Sequence, residues 1–367
     1  MAKPTVAVIG GGIIGCASAS ELARRGCRVT VLERGTPGGE ASSAAAGLLT
    51  VLGGSPDLDP FRRLALESWR LYPRVVAELR ELTGVDVEHM TGGTLYPLSS
   101  VEEGRERCGW PLGRELGMEV VEGSALATIE PALSKDVSAA LLVRGDQWIN
   151  NQRLVTAYAQ VAAARGVAVR AGVEVSRILV DGGRARGVLV DGETVHADAV
   201  LLAAGAWSRA LIEPLGARLP VGPVRGQMLA VSSVPPLVAH VIHGDDVYLV
   251  PRPSGELLVG ATVEHAGFAR AVTPDGLAEL IEEAVALVPE IGRRPITRTW
   301  CGFRPWASDG QPVLGPWPEV AGLFVATGHY RNGILLAPVT AALMARCIVD
   351  GETSESITPF LPDRFRP

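Results

Sequence analysis

The sequence predicts an α/β fold in which a Rossmann-like nucleotide-binding unit is joined to a second, strand-rich domain. Three observations predict it. A strand, a glycine-rich loop, a helix and a second strand follow one another over residues 5–33. A hairpin-rich stretch leads into a late buried strand ending at Gly205. Near the C-terminus, "FVATGHYRNGILLAP" (Phe324 to Pro338) sets a histidine, an arginine and an asparagine between two apolar runs. The length, 367 residues, is enough for a large core and two intimately joined domains.

Thr5 to Ile9 (TVAVI) has the β-branched pattern of a buried parallel strand. Gly10, Gly12 and Gly15 then form GxGxxG. Ile13 to Arg25 reads as an alanine-rich helix closed by Gly26, and Arg28 to Leu32 as a second strand ending at Glu33. The first glycine permits a tight turn, the second lets a pyrophosphate approach the backbone, and the third lets helix pack on strand. The helix N-terminus offers unpaired N–H groups and the positive end of its dipole to phosphates. A carboxylate at Glu33 can accept hydrogen bonds from an adenosine ribose, and it would repel a 2′-phosphate. Together these predict dinucleotide binding.

The next stretch, "ERGTPGGEASSAAAGLL" (Glu33 to Leu49), separates two dinucleotides. A second glycine-rich loop carries Ser42 and Ser43, then three alanines and Gly47. Such small residues allow a flat ring to approach closely, or a second pass over the pyrophosphate. A plain NAD domain has no need of this loop, so FAD is expected. Further on, Asp181-Gly182-Gly183 and Asp191-Gly192 are strong hairpin signals. Ala199 to Gly205 (AVLLAAG) follows as another buried strand. In the later region, Tyr248 to Arg252 and Glu256 to Thr262 read as strands, and Pro274 to Val288 as a helix.

Composition narrows the function classes. Apolar residues make up 47% of the chain, which fits a globular protein rather than a disordered one. A net charge of −6 argues against a nucleic-acid partner, which leaves a basic footprint. The five cysteines (16, 27, 108, 301 and 347) are scattered, without CxxC or metal spacing, and fit a reducing cytoplasm. His89, His196, His240, His243 and His265 form no spaced pair, so no metal site is expected. No run of about 18 uninterrupted apolar residues occurs, so no membrane span is expected.

GGGIIG at 10–15, SSAAAGLL at 42–49, GFRP at 302–305, DGQPVLG at 309–315 and GHYRNGILLAP at 328–338 occur in a familiar order. With them the chain resembles the D-amino-acid oxidase superfamily of FAD enzymes, and within it the glycine oxidase branch, over nearly its whole length. The resemblance implies a discontinuous Rossmann-like FAD-binding domain (1–88, 143–216 and 301–367) and a mixed-sheet α+β substrate domain (89–142 and 217–300). It implies that the last motif brings a helix N-terminus to the pyrimidine end of the flavin. There Asn332, Gly333, Ile334 and Leu335 would supply N–H groups to the negative charge of the reduced ring. Pro338 is expected in the first helical turn, where no N–H is needed.

The resemblance also implies cofactor contacts at Ile13, Ile14, Arg34, Ser42, Ser43, Ala46, Gly47, Leu48, Val173, Gly205, His329, Tyr330 and Arg331. Arg304 would hold a substrate carboxylate with its planar fork, helped by the Tyr248 hydroxyl, and Arg331 would line the same site. No general base is expected, because the family reaction is hydride transfer from the substrate α-carbon to flavin N5. His329 is expected to contact the flavin instead. The implied activity is oxidation of glycine or a small related amine acid to an imine. Water then gives an oxo acid and ammonia, and oxygen becomes hydrogen peroxide. A supply of glycine imine for the thiazole of thiamine is the implied role.

A dehydrogenase with another acceptor, a sarcosine oxidase-like enzyme and a flavin-binding subunit without turnover are the rival readings, and a homo-oligomer is left open. Val263 stands where the branch often has methionine, and the lysine that sarcosine oxidases place near N5 is missing. Binding is expected to be non-covalent. Cys301 matches the position where sarcosine oxidases attach the flavin 8-methyl group, so a covalent link is a minority expectation.

Overall fold

The computed structural model describes residues 3–52 and 56–366; the outermost ends of the expected FAD-binding domain lie outside that range. Thr5–Ile9, Ile13–Arg24 and Arg28–Glu33 form the expected strand, helix and strand. Their β-branched and aliphatic side chains are buried on both faces, as a parallel strand between helices requires. Six strands make the first sheet, in the order Val313–Pro316, Leu323–Thr327, Ala199–Leu202, Thr5–Ile9, Arg28–Glu33, Ala168–Ala171. All neighbours are parallel except the antiparallel edge strand Val313–Pro316. One core packs the helices Ile13–Arg24, Pro60–Thr83, Asn151–Ala164 and Gly333–Asp350 on one face of this sheet. A three-stranded sheet (Val175–Asp181, Arg184–Val190, Glu193–His196) covers the other, built from the hairpins that the Asp-Gly turns predict.

The second sheet has eight strands, in the order Ile296–Ala307, Val221–Ser232, Glu256–Gly260, Tyr248–Pro251, Val241–His243, Thr94–Pro97, Ala139–Val143, Met118–Glu122. Val241–His243 pairs in parallel with Thr94–Pro97 and the rest are antiparallel, so the sheet is mixed. The helix Pro274–Leu287 packs on its outer face. The strand Ile296–Ala307 runs unbroken across residue 301, the expected start of the last FAD-domain segment.

The strand Leu323–Thr327 delivers the chain to the helix Gly333–Asp350 through the polar corner Gly328–Asn332. This helix is long and apolar enough to cross a membrane, but 67% of it is buried inside the fold. Pro338 is its sixth residue, not a member of the first turn as expected. The helix starts only at Gly333, because Tyr330 takes a left-handed turn (φ 49) tied by its N–H to the Pro305 carbonyl.

Candidate active site

Two adjoining cavities, of about 600 and 930 Å³, lie between the sheets and share Ala41, Ala45, Phe303, Tyr330, Arg331 and Ile334. The smaller begins at the N-terminal loop. Gly10 has φ +103, and a Cβ there would sit 2.5 Å from the Ala203 carbonyl oxygen. Gly12 caps the helix without a side chain, leaving its N-terminus open. A Cβ on Gly15 would lie 1.9 Å from the Gly10 carbonyl oxygen, so this glycine serves helix-on-strand packing and lines neither cavity.

Glu33 sits at the end of its strand and accepts from the Gly11 and Gly35 N–H groups at 2.7 and 2.8 Å. That fixes the carboxylate in the cavity wall with lone pairs to spare. A Cβ on Gly11 would approach within 3.0 Å of the Glu33 side chain, a constraint the GxGxxG spacing does not express. The Ser42 hydroxyl accepts from the Ile13 N–H (2.9 Å), which joins the second glycine-rich loop to the helix N-terminus. Ile14, Arg34, Val173 and Gly205 complete this end. Ser43 turns its hydroxyl back to the Gly38 carbonyl and lines neither cavity.

The larger cavity is floored by small residues. Ala46, Gly47 and Leu48 line it. Gly47 has φ +74, and its missing Cβ leaves room for the Ile149 carbonyl oxygen. Opposite stand Tyr248, Thr262, Val263 and Arg304. Arg304 donates to the Thr262 carbonyl oxygen at 2.8 Å, and its guanidinium lies over Gly226. No carboxylate is paired with Arg304 or Arg331 among the described residues. Burial pushes the Tyr248 phenol up, while Arg304 and then Arg331 pull it down, which puts all three around one space.

The corner closes the site where the two cavities meet. Tyr330, Arg331 and Ile334 line both, Asn332 lines the larger, and His329 and Gly333 line the smaller. Burial holds the His329 imidazole down to about 3, and its Nε2 lies 3.2 Å from the Thr340 hydroxyl, so the ring is neutral and structural. Leu335 lines neither cavity, although its N–H belongs to the open first turn. Sequence reasoning did not find Gly226, Thr262 or Tyr96. Glycine in a strand carries no signal of what it makes room for.

Cys301 corrects the minority expectation of a covalent link. It is buried, lines neither cavity and pairs in register with Gln227. Strand alternation turns its thiol away from the face that Gly302 and Arg304 present. Gln227, on the thiol's side, is engaged instead with Glu264 and Thr273.

The geometry fits a flavin dinucleotide. An open helix N-terminus and a strand-end carboxylate suit the nucleotide half, and a chamber of about 930 Å³ lined on one side by small residues leaves room for a ring. The two spaces adjoin, as one extended molecule demands. A family model described as FAD dependent oxidoreductase (DAO) matches residues 5–347, and the chain belongs to that family. It therefore takes FAD. It is 39% identical to the glycine oxidase of Geobacillus kaustophilus over 97% of this chain and 95% of that one. It is 38% identical to the bifunctional protein ThiO/ThiG of Trichormus variabilis, matching 98% of this chain and 55% of that protein. Among solved structures, the Geobacillus kaustophilus glycine oxidase superposes with a TM-score of 0.92 at 36% identity, covering both chains completely. The iminodiacetate oxidase of Chelativorans superposes at 0.88 with 28% identity, over 97% of this chain and 98% of that one.

Proposed function

We propose that this chain oxidises the C–N bond of glycine or a small related amino acid. Two guanidinium groups, Arg304 and Arg331, that have no carboxylate partner among the described residues and line the larger cavity with the Tyr248 hydroxyl carry this reading. Bound FAD supplies the two-electron acceptor for the hydride of the substrate α-carbon. Arg304, already held by the Thr262 carbonyl, keeps donors free for a carboxylate and fixes the α-carbon by its bidentate grip. Tyr248 remains protonated and donates a further hydrogen bond. The N–H groups at the start of the helix Gly333–Asp350 stabilise negative charge that gathers beside them. His329 moves no proton, because its imidazole is neutral far below working pH.

We assign residues 1–88, 143–216 and 301–367, which supply the whole lining of the smaller cavity, to a domain that holds the cofactor, and 89–142 and 217–300, which add Tyr248 and Thr262 to the larger one, to a domain that covers the substrate. Oxygen is the electron acceptor and the compartment is the cytoplasm, in keeping with five free thiols. Likeness to ThiO/ThiG supports a place in making the thiazole of thiamine. The test is anaerobic addition of glycine, sarcosine or D-alanine to the yellow holoprotein. Bleaching of the flavin by glycine, and one peroxide per turnover under air, is the expected result. A flavin that no amine acid bleaches would leave a binding protein without turnover; bleaching without peroxide would leave a dehydrogenase.

A further inference from the structure

Pro338, at the sixth position of the helix Gly333–Asp350, carries no N–H. The carbonyl four residues earlier, Ile334, loses its helical donor, and Ile334 is buried. The Tyr72 hydroxyl donates to this carbonyl. On the next rung the Ser68 hydroxyl donates to the Leu335 carbonyl at 2.6 Å and accepts from the Val339 N–H at 3.3 Å. Ser68 and Tyr72 lie four residues apart on one face of the helix Pro60–Thr83, and both are 0% exposed. Two successive rungs of the C-terminal helix are thus completed from a second helix.

These rungs stand directly behind the first turn, whose N–H groups have no partner in their own helix. The Ile334 carbonyl and the Leu335 N–H belong to one peptide unit. A hydrogen bond received at the oxygen polarises the N–H at the other end, and chains of such bonds reinforce one another. Phenylalanine at 72 would leave the buried Ile334 carbonyl without a donor, so the Tyr72 hydroxyl first of all completes the helix. The peptide unit it completes is the one that carries the Leu335 N–H of the open first turn.

We propose that Tyr72, seconded by Ser68, is a positioning residue: it sets the aim and donor strength of the helix N-terminus that faces the flavin, and so raises the flavin's reduction potential. This rests on the reading of the cavities as an FAD site. The experiment compares wild-type holoprotein with Tyr72→Phe and with Tyr72→Phe/Pro338→Ala, in which an alanine N–H again reaches the Ile334 carbonyl. For Tyr72→Phe the FAD dissociation constant should rise about tenfold. Its midpoint potential, measured at saturating FAD, should be more negative than wild type. The double variant should recover both.

A single variant that keeps the wild-type potential at saturation overturns the proposal even if it melts lower, because packing alone would do that. So does a double variant no better than the single one. If the single variant does not fold, Ser68→Ala takes its place: a midpoint potential more negative than wild type at saturating FAD supports the proposal, and an unchanged one overturns it. Wild-type protein that takes up no FAD overturns the cofactor reading and this proposal together.

Discussion

At the scale of single residues, the site is organised by what each charged group lacks. Most arginines on this chain have acidic partners, and Arg225, on the strand next to that of Arg304, is paired with Glu264. Among the described residues Arg304 meets backbone carbonyls and the Tyr248 hydroxyl but no carboxylate, so its charge stays available to a ligand. Truncating one partner of a hydrogen-bonded charge pair costs about 2–5 kcal/mol. Arg304→Ala should therefore lower kcat/KM for glycine by roughly one and a half to three and a half decades, while the flavin spectrum stays that of wild type. Near-normal turnover of every amino acid by that variant would remove Arg304 from the role of anchor. Arg304→Lys should recover only part of the loss, because an ammonium cannot offer two parallel donors to a carboxylate.

At the scale of elements, the strand pair Val221–Ser232 and Ile296–Ala307 positions that arginine, and the pair was poorly legible. Glycine and proline at Gly222, Pro223 and Gly226 interrupt the alternation that marks a strand. The reason appears only in three dimensions, where the missing Cβ of Gly226 is the bed of the guanidinium. A Cβ there would lie 2.4 Å from both terminal nitrogens. Gly226→Ala should raise KM for glycine more than it lowers kcat or the melting temperature, because the displaced group is the carboxylate's partner rather than part of the core. Equal effects on KM and on melting temperature would mean that the glycine serves the sheet and not the arginine.

The N-terminal strand–helix–strand was legible, because Gly10, Gly12 and Gly15 answer backbone needs that local sequence states; only the need for Gly11 beside Glu33 was not. The helix Pro60–Thr83 carried readable signals too: Asp59 accepts from the Arg62 N–H, and Gly84 ends it in the left-handed region. Its service to the C-terminal helix was not readable, since Ser68 and Tyr72 meet Pro338 only after both helices pack. Pro338 itself was misplaced by the sequence reading. Nothing local fixes where the helix begins; the turn at Tyr330 and its bond to Pro305 do so from another strand.

At the scale of the whole molecule, two buried titratable groups pull stability in opposite directions with pH. His329 is held down to about 3 by burial. Its contribution is complete above its unfolded value and is lost as pH falls from about 6.5 toward 3. Asp146 is fully buried and is pushed up to about 7 by that burial, against the pull of the Tyr96 hydroxyl, which donates to it at 2.7 Å. No cation is paired with it among the described residues. A raised carboxyl works in the other sense: its contribution is complete below about 4 and is lost as pH rises through 7. Asn keeps an oxygen for Tyr96 and cannot ionise. The melting temperature of Asp146→Asn relative to wild type should therefore climb between pH 5 and about pH 7 and level off by pH 8. The underlying slope approaches about 1.4 kcal/mol per pH unit where the folded carboxyl is protonated and the unfolded one is not. His329 is present in both proteins and cancels from that difference, so the comparison isolates the carboxyl. A difference that stays flat over this range would mean that Asp146 does not hold its proton at neutral pH. The wall that Tyr96 shares with His243, their rings 5.2 Å apart at the edge of the larger cavity, would then carry a buried negative charge behind it.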